Sequence, residues 1–304
     1  MKIFSGSANK PLAQKLATSF NLQLSETEIH VFPDGEKRVR ILDTVVDEAC
    51  IVLQPTSPPV EANYMELFFI VDAIKRSGAS QIIVVMPYVG YQRQDHVFRS
   101  GEAVSLDVVI KTLEANGASA FLAFDFHSIK TIELFKIPVV HVSALPLFAD
   151  VIQKEGWANE ESVLVSPDMG GIRRIKLISE ILLGMPYVAI EKNRDLATGS
   201  VAAEIIHGAI EEKKRAFIVD DMISSGKTIN VAARLLEQKG IEEIFVFATH
   251  PVFSDDAPEI LEKSNAKKIF VTDTIAIPKE KQFPKLTVIS IADEVAKQVR
   301  STLS

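Results

Sequence analysis

Cysteine is almost missing from this chain: Cys50 is the only one in 304 residues. No intrachain disulfide can form, and no thiolate-rich zinc site can be assembled. An excess of basic residues is missing too. The net charge of -7 at pH 7 argues against broad binding to nucleic acid or to an anionic membrane, while leaving room for local basic clusters. No apolar run approaches membrane-spanning length, and Leu67-Phe-Phe-Ile-Val71 reads as one face of a helix. No segment is of low complexity. The start, Met1 to Ser7, reads as a strand and turn rather than a signal peptide. These absences lead to the expectation of a soluble cytoplasmic protein. What is present is globular composition, 47% hydrophobic and 24% charged, over a length that suits two α/β domains.

Strand-like and helix-like patterns alternate along the chain. Short apolar runs at Lys2–Phe4, Cys50–Leu53, Gln81–Met86, Phe121–Phe124, Val163–Val165, Tyr187–Ile190, Ala216–Val219 and Ile244–Ala248, and at 268–272 and 287–291, read as strands. Helical periodicity covers Pro11–Phe20, Val60–Lys75, Val104–Ala115, 145–154, 172–183, 229–239, 256–264 and 292–302. Glu28 to Ile41 reads as two strands around Phe32-Pro-Asp-Gly-Glu36, Asp-Gly being a hairpin signal. The polar segment 87–102 reads as a mobile loop, and 195–203 as an irregular one. The alternation predicts parallel sheets covered on both faces, with a domain boundary near residue 143. Polar residues gather where strands end, the edge at which open α/β sheets bind ligands. Asp125 and His127, Asp168, Lys192 and Arg194, and Asp220 and Asp221 all fall there.

The stretch 215–230 is the most informative. An apolar strand runs into Asp220-Asp221, then into Ser224-Ser-Gly-Lys-Thr228, then into a helix. Such a loop can aim several backbone N–H groups at one phosphate, and the helix N-terminus adds a favourable partial charge. Ser224, Ser225 and Thr228 add hydroxyls. The two acids suit the vicinal hydroxyls of a sugar, or a cation. A P-loop would need a glycine where Asp221 stands. An ordinary strand-to-helix turn would leave the adjacent acids unexplained.

Other candidates are weaker singly. Asp168 precedes Gly170-Gly171, which would let backbone approach a ligand, and its carboxylate could hold metal or a ribose hydroxyl. His127 could coordinate Mg²⁺ or a water on it, although magnesium prefers oxygen. Lys192 and Arg194 could stabilise a transferring phosphoryl group, or form a solvated basic turn. Arg93 and Gln94 suit stacking on, and reading of, a purine.

The 215–230 stretch resembles the phosphoribosyl-pyrophosphate motif of phosphoribosyltransferases and of ribose-phosphate pyrophosphokinases. Further pieces in order choose the second family: Phe32-Pro-Asp-Gly-Glu36, Tyr91-Gln-Arg-Gln-Asp95, Asp125-Phe-His127, Ser166-Pro-Asp-Met-Gly-Gly171, Glu191-Lys-Asn-Arg194 and Ala248-Thr-His-Pro-Val-Phe253. The resemblance covers nearly the whole chain. It implies two phosphoribosyltransferase-like, doubly wound α/β domains with mainly parallel sheets. Residues 1–143 would form an ATP-side domain on which the closing helix 292–304 packs back, and 144–291 a ribose-5-phosphate domain. ATP would meet Phe32, Asp34, Gly35, Glu36, Arg93 and Gln94. His127 and Asp168 would bind Mg²⁺. Lys192 and Arg194 would be catalytic. Asp168, Arg194, Asp220, Asp221, Ser224, Ser225, Gly226, Lys227 and Thr228 would hold ribose 5-phosphate. The hairpin at 32–36 would be lent by a neighbouring subunit, which implies a homo-oligomer.

Departures from the family pattern are Ser224 for a frequent aspartate, Lys227 for a frequent glycine, His96-Val97 for a basic pair, and Asn193 for a frequent arginine. With Ser100–Ser105 they resemble the archaeal-type branch more than the main bacterial one. Three functions are expected in descending order: transfer of the diphosphate of ATP to ribose 5-phosphate, a catalytically silent regulatory relative, and a phosphoribosyltransferase.

Overall fold

The computed structural model describes residues 1–194 and 201–303, with the side chains of 192–194 and 201–204 outside the description. The chain divides into two compact units. Unit 1 comprises Met1–Val142, Asp273–Ala276 and Ser290–Ser304, and unit 2 comprises Ser143–Thr272 and Ile277–Ile289.

Unit 1 begins with β1 (Lys2–Ser5), α1 (Lys10–Ser19), the hairpin β2 (Thr27–Val31) and β3 (Lys37–Ile41), and β4 (Ala49–Leu53). Next come α2 (Val60–Arg76), β5 (Gln81–Val85), α3 (Ser105–Asn116), β6 (Ala120–Phe124) and β7 (Val139–Val142). Its five-stranded sheet has the order β1-β4-β5-β6-β7 and is parallel throughout. Cys50 to Leu53 are buried one after another, as a strand covered on both faces requires. Local chemistry fixes the helices. Asn9 caps α1 by accepting the Leu12 N–H at 3.2 Å, with Pro11 in the first turn. α3 stops at Gly117, whose φ of 113° lies in the left-handed region that glycine enters without strain.

Unit 2 contains α4 (Leu145–Lys154), β8 (Ser162–Ser166), α5 (Ile172–Ile181), β9 (Tyr187–Arg194) and β10 (Val201–His207). It continues with β11 (Arg215–Ile223), α6 (Lys227–Gln238), β12 (Glu243–Pro251), α7 (Ala257–Glu262), β13 (Lys268–Thr272) and β14 (Leu286–Ile289). Its seven-stranded sheet, β10-β9-β8-β11-β12-β13-β14, is parallel except for the antiparallel edge strand β10. Trp157 stacks on Phe245 at 4.1 Å, within an aromatic group that includes Phe217. The closing helix α8 (Ala292–Leu303) belongs to unit 1 and buries Val295, Ala296 and Val299.

The α/β class and the mainly parallel sheets agree with the sequence reading. The elements differ from it in several places, β9 and β12 among them, which run on to Arg194 and Pro251. β7 and β10 were not expected. Residues 201–203, expected in an irregular loop, lie in β10, while 195–200 of that loop are outside the described residues. β11 runs past Val219 to Ile223, so Asp220 and Asp221 are strand residues. The first half of the expected mobile loop is packed: Tyr88, Val89 and Gln92 are buried, and the Tyr64 hydroxyl donates to the Gly90 carbonyl at 2.8 Å.

Candidate active site

In unit 2 the site is built on the strand β11. It pairs with β8 only as far as Ile218↔Val165, but with β12 as far as Ile223↔Pro251. Asp220 and Asp221 therefore lie where β11 has outrun β8. The first turn of α5 reaches this stretch. Arg174 Nη1 donates to Asp220 Oδ1 at 3.0 Å, and its Nη2 lies 3.3 Å from Asp221 Oδ1. The Asp221 N–H donates to Asp220 Oδ1 at 2.9 Å. Burial, followed by the charge of Asp221, pushes the Asp220 carboxyl well above the usual range, Arg174 opposes them, and Asp168 adds to the rise. Asp220, Asp221 and one guanidinium thus form a group with little solvent, beside the exposed Asp168.

Asp168 follows β8 and is exposed. Its Oδ1 accepts the Gly171 N–H at 3.1 Å, and its carbonyl accepts from the Ser166 hydroxyl at 2.7 Å. The sequence reading gave both glycines a ligand-facing purpose. The structure corrects this for Gly171: a Cβ there would lie 2.4 Å from Ser166 Oγ, so the residue makes room for that side chain.

Beyond Ile223 the chain turns through Ser224, Ser225 and Gly226 into α6. Gly226 has φ 72°, and no side chain caps the helix. The first-turn N–H groups have no acceptor within the helix, which is the arrangement that receives anions. Lys227 opens α6 with a positive charge at the positive end of the helix dipole. That placement is unfavourable until an anion joins it. Lys227 and Thr228 are exposed, while the Ser224 hydroxyl already shares a hydrogen bond with Ser254 Oγ at 3.0 Å. Lys192 and Arg194 have their backbone in β9, in register with Glu204 and Val201 of β10. Their side chains lie outside the described residues.

In unit 1, Phe32 to Glu36 form the exposed tip of the β2–β3 hairpin. The Phe32 N–H donates to the Glu36 carbonyl at 2.8 Å, and Asp34 Oδ1 accepts the Glu36 N–H at 3.1 Å. Gly35 takes φ 92°. Arg38 stands over the Phe32 ring, 5.8 Å from its centre. Arg93 and Gln94, after β5, are exposed. His127 follows β6, and its N–H donates to Gln92 Oε1 at 3.1 Å. Gln92 is 1% exposed, and its Nε2 has no protein partner. This buried amide therefore joins the loop after β5 to the loop after β6.

The sequence reading missed Arg174 and Gln92. Arg174 carried a usable signal, because an arginine in the first turn of a helix opposes the helix dipole unless an acid meets it. Gln92 carried none, since only the fold brings it to His127. Among the described residues, no three His, Cys, Asp or Glu side chains are grouped to hold a metal ion. Magnesium commonly takes one or two carboxylates together with substrate phosphates. The exposed Asp168 carboxylate fits that mode.

Comparison with known proteins gives a consistent answer. Residues 1–117 match a family model described as the N-terminal domain of ribose phosphate pyrophosphokinase. Residues 204–303 match one described as a phosphoribosyl synthetase-associated domain. The chain is 40% identical to a ribose-phosphate pyrophosphokinase of Fusobacterium nucleatum, over 96% of this chain and 91% of that one. It is 39% identical to the ribose-phosphate pyrophosphokinase of Thermotoga maritima, over 100% of this chain and 96% of that one. A solved phosphoribosylpyrophosphate synthetase from Mycobacterium smegmatis superposes with a TM-score of 0.93 at 33% identity, covering 99% of this chain and 98% of the other. Full-length similarity at this level, on the same fold, makes the chain a member of the ribose-phosphate pyrophosphokinase family.

Proposed function

We propose that the chain transfers the β,γ-diphosphoryl group of ATP to the 1-hydroxyl of ribose 5-phosphate, giving phosphoribosyl pyrophosphate and AMP. The observation that carries this reading is the sequence of features on one strand and its helix: the Asp220–Asp221 pair, the glycine turn, and the uncapped start of α6. It suits a sugar phosphate, with the diol on the acids and the 5-phosphate on Ser225, Gly226, Lys227 and Thr228. Ser224 borders that phosphate, and Asp168 adds an oxygen to the sugar or to a metal. Unit 2 is thus read as the ribose-5-phosphate side. Unit 1 is read as the ATP side, with Phe32, Asp34, Gly35, Glu36, Arg93 and Gln94 around the nucleotide. Offering of the hairpin to a second copy in a homo-oligomer belongs to the same reading, as does a cytoplasmic location. No helix among the described residues is long and apolar enough to cross a membrane.

The sugar 1-hydroxyl oxygen attacks the β-phosphorus in line. The bond from that phosphorus to the α,β-bridging oxygen breaks, AMP leaves with the electron pair, and the hydroxyl proton passes to solvent. Such transfers depend on positioning and charge stabilisation more than on covalent chemistry. The ammonium of Lys192 and the guanidinium of Arg194 follow the charge on the moving group. Asp168 in unit 2 and His127 in unit 1 are each candidates to hold Mg²⁺, which when bound would supply neutralisation of phosphate charge. The other residues orient: Arg174 holds the acid pair, and Gln92 holds the His127 backbone.

The test is AMP formation that requires both ribose 5-phosphate and Mg²⁺, run with and without ADP. No AMP beside an active control would favour a silent regulatory relative. Nucleotide formed from a free base and the activated sugar would favour a phosphoribosyltransferase.

A further inference from the structure

Glu66 of α2 is a charged residue that the ATP reading does not use, and it is only 1% exposed. Its two oxygens go to different places. Oε2 accepts from Lys37 Nζ at 2.6 Å, and Lys37 is the first residue of β3, directly after the hairpin tip. Oε1 accepts the Ser7 N–H at 2.5 Å and Gln54 Nε2 at 3.2 Å. Gln54 Oε1 in turn accepts the Ala8 N–H at 3.1 Å. A Cβ on Gly6 would lie 2.3 Å from that same Oε1, so the 6–8 backbone closes directly on the amide. Ser7 and Gln54 follow β1 and β4, neighbours in the sheet. One carboxylate therefore ties the base of the hairpin to two adjacent strand ends. Beside it a pocket of about 430 Å³ is lined by Gly35, Glu36, Lys37, Glu61, Met65 and Phe69.

The tip is exposed; the strands are partly buried, with Val39 and Ile41 against the core of unit 1, and a two-stranded hairpin takes its orientation from what it is fastened to. We propose that Glu66, through Lys37, is a positioning residue for the nucleotide: it sets the angle at which residues 32–36 are presented. This rests on the reading of that tip as part of the ATP site. Burial raises the Glu66 carboxyl, but Lys37 and the Ser7 amide outweigh it and hold the group below the ordinary glutamate range. Glu66 is thus charged at neutral pH.

The test uses the full chain carrying Glu66→Gln, which keeps an acceptor for Ser7 and removes the charge facing Lys37. The KM for ATP should rise about tenfold, equivalent to about 1.4 kcal/mol. The KM for ribose 5-phosphate and kcat should stay within about twofold of the wild type. Lys37→Met should reproduce the split and Lys37→Arg should restore it, which a general loss of folding would not do. An unchanged KM for ATP in both Glu66→Gln and Lys37→Met, or an equal rise for both substrates, overturns the assignment. Amide exchange over residues 32–37, measured without ligand, separates this from failure of the ATP reading. Faster exchange in Glu66→Gln supports the tether even if the wild type forms no AMP, and unchanged exchange removes it.

Discussion

Arg174 serves two acids at once, and its removal would take away the guanidinium they share. Breaking a buried ion pair from one side costs about 3 kcal/mol or more, so Arg174→Gln should lower stability by that order and weaken ribose 5-phosphate binding; denaturant unfolding and calorimetric titration check the two effects. Asp220 should behave in the opposite sense. Its folded-state carboxyl sits well above the usual range because of burial and Asp221. A raised acid is penalised once the pH exceeds its unfolded value, and the penalty grows until the pH passes the folded value. At neutral pH, Asp220→Asn should therefore leave stability unchanged or raise it while the KM for ribose 5-phosphate climbs, the exchange of stability for function expected at such a site. Thermal melts at pH 7 beside steady-state kinetics would expose a matching loss in both, which would contradict it. Lys192→Ala should lose turnover by about a thousandfold, in line with removal of a cation from a transferring phosphoryl group, while ribose 5-phosphate still binds. Full activity in that variant would remove the catalytic role.

Among elements, the junction of β11 and α6 depends most on one conformation. Gly226 takes φ 72°, and a Cβ there would approach Leu261 Cγ to 3.1 Å. Gly226→Ala should cost about 1–2 kcal/mol from the left-handed backbone alone. It should also weaken inorganic phosphate binding, because the helix start is displaced with it; protection by phosphate in thermal melts reads both, and equal protection of wild type and variant would argue against a phosphate site there. The β2–β3 hairpin depends instead on its fastening. Because the Glu66 carboxyl is held below its ordinary value, its contribution is full above that value and fades as pH falls through the lowered one. The stability gap between wild type and Glu66→Gln should thus be largest near neutral pH and close in acid. Helix and strand positions were readable wherever apolar periodicity was strong, as in α2 and β4. β10 was not, because it is an edge strand whose pairing with β9 is a tertiary fact. The extension of β11 through two aspartates was hidden for the same reason: acids are poor strand formers, and the partner β12 decides.

For the whole chain, two units of separate core provide a convenient probe. Trp157 is the only tryptophan, and it stacks on Phe245 in unit 2. Its fluorescence should follow the unfolding of that unit. Ribose 5-phosphate at a hundredfold excess over its Kd should then stabilise the Trp157 transition by about 2.7 kcal/mol; a midpoint that ignores the sugar phosphate would place its site elsewhere. By itself the sequence determined the α/β class, the parallel rhythm and the family, because burial of apolar runs and ordered short motifs are both written locally. It also named Asp220, Asp221 and the turn to Thr228, whose chemistry lies in consecutive residues. Only the tertiary structure decided that Arg174 spans the acid pair, that Gln92 holds His127, and that Glu66 joins Lys37 to Ser7 and Gln54. Those partners stand between 29 and 59 residues apart in most of these pairs. No local pattern names the partner in such a meeting, which forms only when the fold brings distant elements together.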